Sequence, residues 1–280
     1  MYANEDPGER WPSMQFGAFP DASGVLQVRV DIGPNLFVSY PEYLTDPMII
    51  LCPSDAEYRE HLTRMKYPGT DEFCMGVAGP DAQSCASAVD ASYVYLGWVL
   101  DRTGDEWGAE TVGGVISLIT VAGLPLDPND LPPADAVAPS QIVRSLLVLM
   151  GNSDLVLGAV GNPPSNTLIQ RAVDADISGA QLVSFGNAGG DTVYRLREGI
   201  ERFLITDINN PAATAQAQST VYVMFDQVAT STQNFNHIPG GSNVLYLDGH
   251  VDYVRYIERG TAPVTRNAAT AVALLSALTL

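Results

Sequence analysis

The stretch Asn236-His237-Ile238-Pro239-Gly240-Gly241-Ser242-Asn243-Val244-Leu245-Tyr246-Leu247-Asp248-Gly249-His250-Val251-Asp252-Tyr253-Val254-Arg255-Tyr256 decides how the rest of the chain is read. Val244 to Leu247 and Val251 to Val254 are rich in β-branched and aromatic residues, which suit a pleated, half-buried surface. Asp248-Gly249 between them is the dipeptide that a two-residue type I′ turn prefers, since both turn positions need positive φ. Gly240-Gly241 lets the backbone bend sharply into the first strand. The stretch therefore predicts a β-hairpin.

The same residues invite a metal reading through His237, Asp248, His250 and Asp252, with Asp226 close in sequence. Structural roles account for them more simply. Asp248 is what the turn asks for, His250 and Asp252 alternate with Val251 on the wetter strand face, and His237 is expected to bond the glycine loop.

The wording of the hairpin resembles the C-terminal signature of a bacterial pseudopilin-like family of the type II secretion and type IV pilin kind. The matching residues are His237, Gly240, Gly241, Asn243, Asp248, Gly249 and His250. Other pieces resemble the family in the same order: Met1-Tyr2-Ala3-Asn4-Glu5, Cys52-Pro53-Ser54-Asp55, Ser92-Tyr93-Val94-Tyr95-Leu96-Gly97-Trp98, and the run from Tyr194 to Pro211. Nothing between about 102 and 190 matches. Between His237 and Asp248 lies one residue more than the family usually has, with Pro239 the extra one. The resemblance implies a pilin-like α+β head with an antiparallel sheet, exported to the cell surface. In relatives a segment like Met1 to Glu5 follows a prepilin leader and stalk helix, so a leader that was processed, or that lies outside this sequence, is expected. Calcium bound near the C-terminal end of some pilin-like heads is the one cofactor the resemblance implies, and Asp226 and Asp248 are its candidates here.

The totals set bounds on partners. The 280 residues are 46% hydrophobic and 16% charged, the profile of a folded chain with enough length for a sizeable core. A net charge of −18 argues against nucleic acid or an anionic membrane surface as partner. Lys66 is the only lysine, so arginine supplies nearly all positive charge and favours fixed, forked pairing. No run reaches the roughly 18 apolar residues that span a bilayer. Cys52, Cys74 and Cys85 form an odd set. Cys74 and Cys85 are nearest in sequence and could close a loop worth on the order of 3 kcal/mol in an oxidising compartment. Buried free thiols are the alternative.

Along the chain, residues 1–24 read as an irregular lead-in and Val25 to Val30 as a strand. Pro47 to Cys52 reads as a buried strand, followed by a helix from Asp55 to about Lys66 with Ser54 and Glu57 as a capping box. Ser92 to Leu100, Val112 to Val121, Asp154 to Val160 and Gln181 to Phe185 read as strands, with a helix from Gln141 to Met150 capped by Ser140. The block 102–190 is therefore expected to be a β-rich insertion within one domain spanning 1–280. A helix is expected from Arg197 to Ile208, and a strand from Thr220 to Phe225. The apolar tail, 268–280, is helix-compatible nearly all round and must bury against something, for which a neighbouring subunit is the expected partner.

Acidic pairs at Asp71-Glu72, Asp105-Glu106 and Asp174-Ala175-Asp176 are expected to be solvated loop faces, and Asp207 to Asn210 a helix stop. No Gly-x-Ser-x-Gly, P-loop, dinucleotide or His-Glu-x-x-His motif occurs, and no catalytic residues are assigned. The expected function is a non-enzymatic structural subunit that self-assembles into an extracellular filament or tube. A monomeric minor pseudopilin or surface head binding a glycan or calcium is the alternative, and an exported hydrolase a third.

Overall fold

A computed structural model describes the chain apart from residues 21–23, 76–88, 90–91, 125, 205–216, 230–234, 238–239, 262 and 279–280. It is an α+β structure built on several small antiparallel sheets. The largest has four strands in the order β10-β9-β8-β3, where β3 is Tyr93–Val94, β8 Tyr222–Asp226, β9 Gly241–Tyr246 and β10 Val251–Arg255. Two strands, β1 (Met14–Pro20) and β2 (Leu26–Pro34), form a separate hairpin with Phe16 opposite Val30. That hairpin places an ordered strand inside the lead-in that was expected to be irregular.

The C-terminal hairpin forms, with Val251 opposite Leu245 and Arg255 opposite Gly241. Its turn differs from expectation. The Gly249 amide donates to the Tyr246 carbonyl at 2.9 Å, and the Tyr246 amide to the His250 carbonyl at 3.0 Å. Only Gly249 has positive φ (87°), so this is a three-residue loop, a type I turn closed by a left-handed glycine. Asp248 keeps ordinary φ and uses its carboxylate to accept from the His250 amide at 3.1 Å.

The block 102–190 is helical where strands were expected. Helices run over Gly113–Ala122, Ser140–Met150, Ser153–Val160 and Asn166–Val173, while the strands there (β4 Ala109–Thr111, β5 Val137–Pro139, β6 Ile177–Ser178) have two or three residues each, and β7 (Thr192–Val193) pairs with β6 just beyond. The β-rich insertion is thus corrected. β-Branched content misled the reading, because tertiary burial of Val115, Ile119, Leu155, Ile169 and Val173 outweighs local strand preference. The Asn152 side chain accepts from the Asp154 and Leu155 amides and so starts the helix 153–160. Ser165 caps the next through the Leu168 amide.

Smaller corrections follow the same logic. Pro47–Ile50 is a 3₁₀ turn, and the helix after it covers only Tyr58–Arg64, with the Asp55 carboxylate accepting from the Glu57 amide. Gln181 to Phe185 falls on a 3₁₀ turn at Ala180–Leu182. Of the helix expected from Arg197 to Ile208, the described part holds a 3₁₀ turn at Ile200–Phe203, and Asp207 to Asn210 lie outside the described residues.

The tail forms a helix, Arg266–Ser276, whose first turn is capped by Thr265 accepting from the Ala268 amide at 3.2 Å. Its apolar residues do bury, but against their own chain. Ala269, Leu274 and Ala277 are fully buried, and Val272, Leu275 and Leu278 nearly so. They join one large cluster with Phe16 and Ile32 of the first hairpin, Ile142 and Leu149 of the helical block, and Phe225 and Val244 of the four-stranded sheet. Intrachain burial removes the reason to invoke a neighbour at the tail.

Candidate functional site

The stretches singled out in the sequence converge on two junctions. At the first, Arg195 is buried, donates to the carbonyls of Gly97 and Trp11, and sits 5.6 Å from the Trp98 ring centroid. The backbone ties the same segments together, with the Leu196 amide on the Gly97 carbonyl at 3.0 Å and the Val99 amide on the Tyr194 carbonyl at 2.8 Å. Gly97 has φ 77°, and a Cβ there would strike the Arg195 guanidinium. Asp174 and Asp176, expected to be solvated, complete this junction. Asp174 pairs with Arg10 at 2.7 Å and Arg195 at 3.3 Å, while Asp176 pairs with Arg197 at 3.2 Å and accepts from the Arg195 amide at 2.7 Å. An open groove of about 530 Å³ beside it is lined by Arg10, Gln170, Arg171, Asp174, Asp176 and Arg197, among others. None of Trp11, Trp98 and Trp107 lines that groove; Trp98 lines a small apolar cavity of about 50 Å³. Asp105 is also engaged, accepting from Gly260 and Asn267 at 2.7 and 2.6 Å.

The second junction gathers the cysteine-proline turn, the end of β8 and the loop before β9. Asp226 and Cys52 are buried, and the His237 side chain is 22% exposed. His237 Nε2 lies 2.8 Å from Asp226 Oδ2 and 3.5 Å from Cys52 Sγ. The same Oδ2 accepts from the Asn243 amide at 2.7 Å and from Asn243 Nδ2 at 2.8 Å. Burial pushes the Cys52 thiol above its ordinary pKa, with the Asp226 charge adding to the shift. His237 therefore does more than bond its glycine loop, although its carbonyl does accept from the Gly240 amide at 2.8 Å.

A polar chain continues beneath. Ser92 offers its carbonyl to Asn236 Nδ2 at 2.6 Å and its hydroxyl to Asp55 at 2.9 Å. Asp55 in turn binds His61 Nδ1 at 2.8 Å. Burial raises the Asp55 pKa, but bonds from His61, the Glu57 amide and Ser92 outweigh it, and the net shift is downward.

The two calcium candidates do not meet. Asp226 faces Asn243, whereas Asp248 is five residues further along the hairpin, roughly 16 Å at a strand rise of about 3.3 Å per residue. At the tip, the bonds to Asp248 from the His250 amide at 3.1 Å and from His250 Nδ1 at 2.5 Å keep its carboxyl below the usual range, and the His250 ring stacks on Tyr246 at 4.4 Å. Of the cysteines, Cys74 is disulfide-bonded, Cys52 is a free thiol, and Cys85 lies outside the described residues. Sequence reasoning missed Cys52 as a partner of His237 because 185 positions separate them.

No known protein family matches the chain, and neither curated proteins nor solved structures give a match.

Proposed function

We propose that this chain is a pseudopilin-like head that acts as a non-enzymatic structural subunit, exported and self-assembling into an extracellular filament or tube. The observation that carries this reading is how the motif stretches are used. Buried or partly buried residues of these stretches hold one another, through Arg195 with Gly97, Asn236 and Asp55 with Ser92, and His237 with Cys52. Such residues hold a head together and leave its exterior to do the work.

That exterior carries apolar side chains suited to contact. On the helices 113–122 and 153–160, Val121 is 85% and Leu157 61% exposed, with Leu118 and Val160 beside them in sequence. Among the described residues β10 is an edge strand, with Val251 and Tyr253 exposed, and an edge of this kind can accept another strand. One heterologous patch of this kind propagates into a filament unless rotation closes it. Among the described residues no single helix is long and apolar enough to cross a membrane.

Negative-stain imaging of the purified protein, with Val121→Glu and Leu157→Glu variants, tests the reading. Filaments or tubes are expected for the native chain, dispersing in the variants at unchanged melting temperature. A monodisperse monomer at every concentration would overturn it. The arginine-lined groove favours a second reading, a monomeric surface head that takes a polar ligand such as a glycan. A thermal shift on adding glycans, with no assembly, would select that one.

A further inference from the structure

We propose that Cys52, Asp226 and His237 form a binding site for a single divalent transition metal of the zinc type. The three ligand atoms come from three separate parts of the fold and all lie within 4.8 Å of one another. His237 Nε2 stands at their centre, near both Asp226 Oδ2 (2.8 Å) and Cys52 Sγ (3.5 Å). A proton on that nitrogen bridges to only one of the two. A tetrahedral cation bridges all three.

The spacing suits such an ion. Zinc lies about 2.3 Å from thiolate sulfur and about 2.0 Å from imidazole nitrogen, so at the tetrahedral angle an N···S edge is about 3.5 Å. The observed Sγ···Nε2 distance is 3.5 Å. The N···O edge, now a hydrogen bond of 2.8 Å, has to open to about 3.4 Å, a small rotation of a side chain that is partly exposed. One sulfur, one nitrogen and one oxygen is a borderline-soft donor set, which selects zinc or cobalt over calcium or magnesium. Three protein ligands leave a fourth position for water.

The surroundings supply the orientation that metal ligands need. Asn243 grips Asp226 Oδ2 with both its backbone and side-chain N–H groups, and the Ser242 hydroxyl donates to the Asp226 carbonyl at 3.0 Å. Tyr253 meets the His237 ring edge-on at 6.4 Å between centroids. Such outer partners hold ligands in register. Bound metal would fasten the cysteine-proline turn and the His237 loop to the end of β8.

Titration of the intact, non-reduced protein with zinc chloride, followed calorimetrically, and with cobalt chloride, followed by absorption, tests the proposal. One equivalent is expected, and the cobalt form should show a tetrahedral spectrum with a sulfur-to-cobalt charge-transfer band. Cys52→Ser should abolish that band, and both Cys52→Ser and His237→Gln should weaken zinc binding on the order of 100-fold or more, beyond the loss typical of outer-shell changes. Asn243→Ala should weaken it by about tenfold. Absence of saturable binding, an octahedral cobalt spectrum without the sulfur band, or unchanged affinity in Cys52→Ser would overturn the proposal. The native cobalt spectrum decides alone where a variant fails to fold.

Discussion

Leu274→Ala distinguishes a tail that belongs to its own core from a tail that serves a neighbour. Leu274 is fully buried in the C-terminal helix, within the cluster that includes Ile32, Ile142 and Val272. The substitution removes about three carbons, or roughly 2.4 kcal/mol at 0.8 kcal/mol per buried methylene. The cavity left behind adds to this, and the total should fall at about 2–5 kcal/mol. In urea unfolding of the dispersed protein, with a slope near 3 kcal/mol per molar, that is a midpoint drop on the order of 1 M. The assay is far-ultraviolet circular dichroism against urea, run beside Val121→Ala as the exposed control, which should stay within about 0.5 kcal/mol of native. An unchanged midpoint for Leu274→Ala, with loss of assembly instead, would refute the argument and restore the tail as an intersubunit element.

The remaining predictions concern the turn and the buried carboxylate. Gly249→Ala should cost about 1–2 kcal/mol, since Gly249 has a φ of 87° at the end of the turn, measured by thermal unfolding. Asp248→Gly should also lower the melting temperature, because Asp248 keeps ordinary φ and binds the His250 amide; a type I′ turn would instead gain stability. Asp55 has a folded pKa below its unfolded value of about 3.9, so its contribution is present above that pH and is lost as pH falls through the folded pKa. The stability gap between native and Asp55→Asn proteins should thus shrink as pH falls below about 4, read from melting curves. A gap that widens on acidification would contradict the sign.

The hairpin and the C-terminal helix were legible in the sequence because each states its pattern locally. Val244 to Leu247 and Val251 to Val254 flank an Asp-Gly turn, and the tail is helix-compatible and apolar nearly all round. The helix at Gly113–Ala122 was not legible, since Val115, Ile116, Ile119 and Val121 favour strand locally and two glycines precede them. Burial of Val115 and Ile119 decides the matter, and burial is a property of the assembled chain. Asn152 and Ser165, by contrast, were caps in plain view at helix starts that were read as strand and turn. At the site, the family resemblance suggested Asp226 with Asp248, but Asp226 faces Asn243 and β9 carries Asp248 away from it. What meets His237 is Cys52, which only the folded chain brings near.

The central claim is assembly through head surfaces, and negative-stain electron microscopy of the native protein over a range of concentrations tests it most directly. The account predicts regular filaments or tubes that disperse when Val121 and Leu157 are each replaced by glutamate. Discrete single particles at the highest concentration, identical in native and substituted proteins, would contradict it.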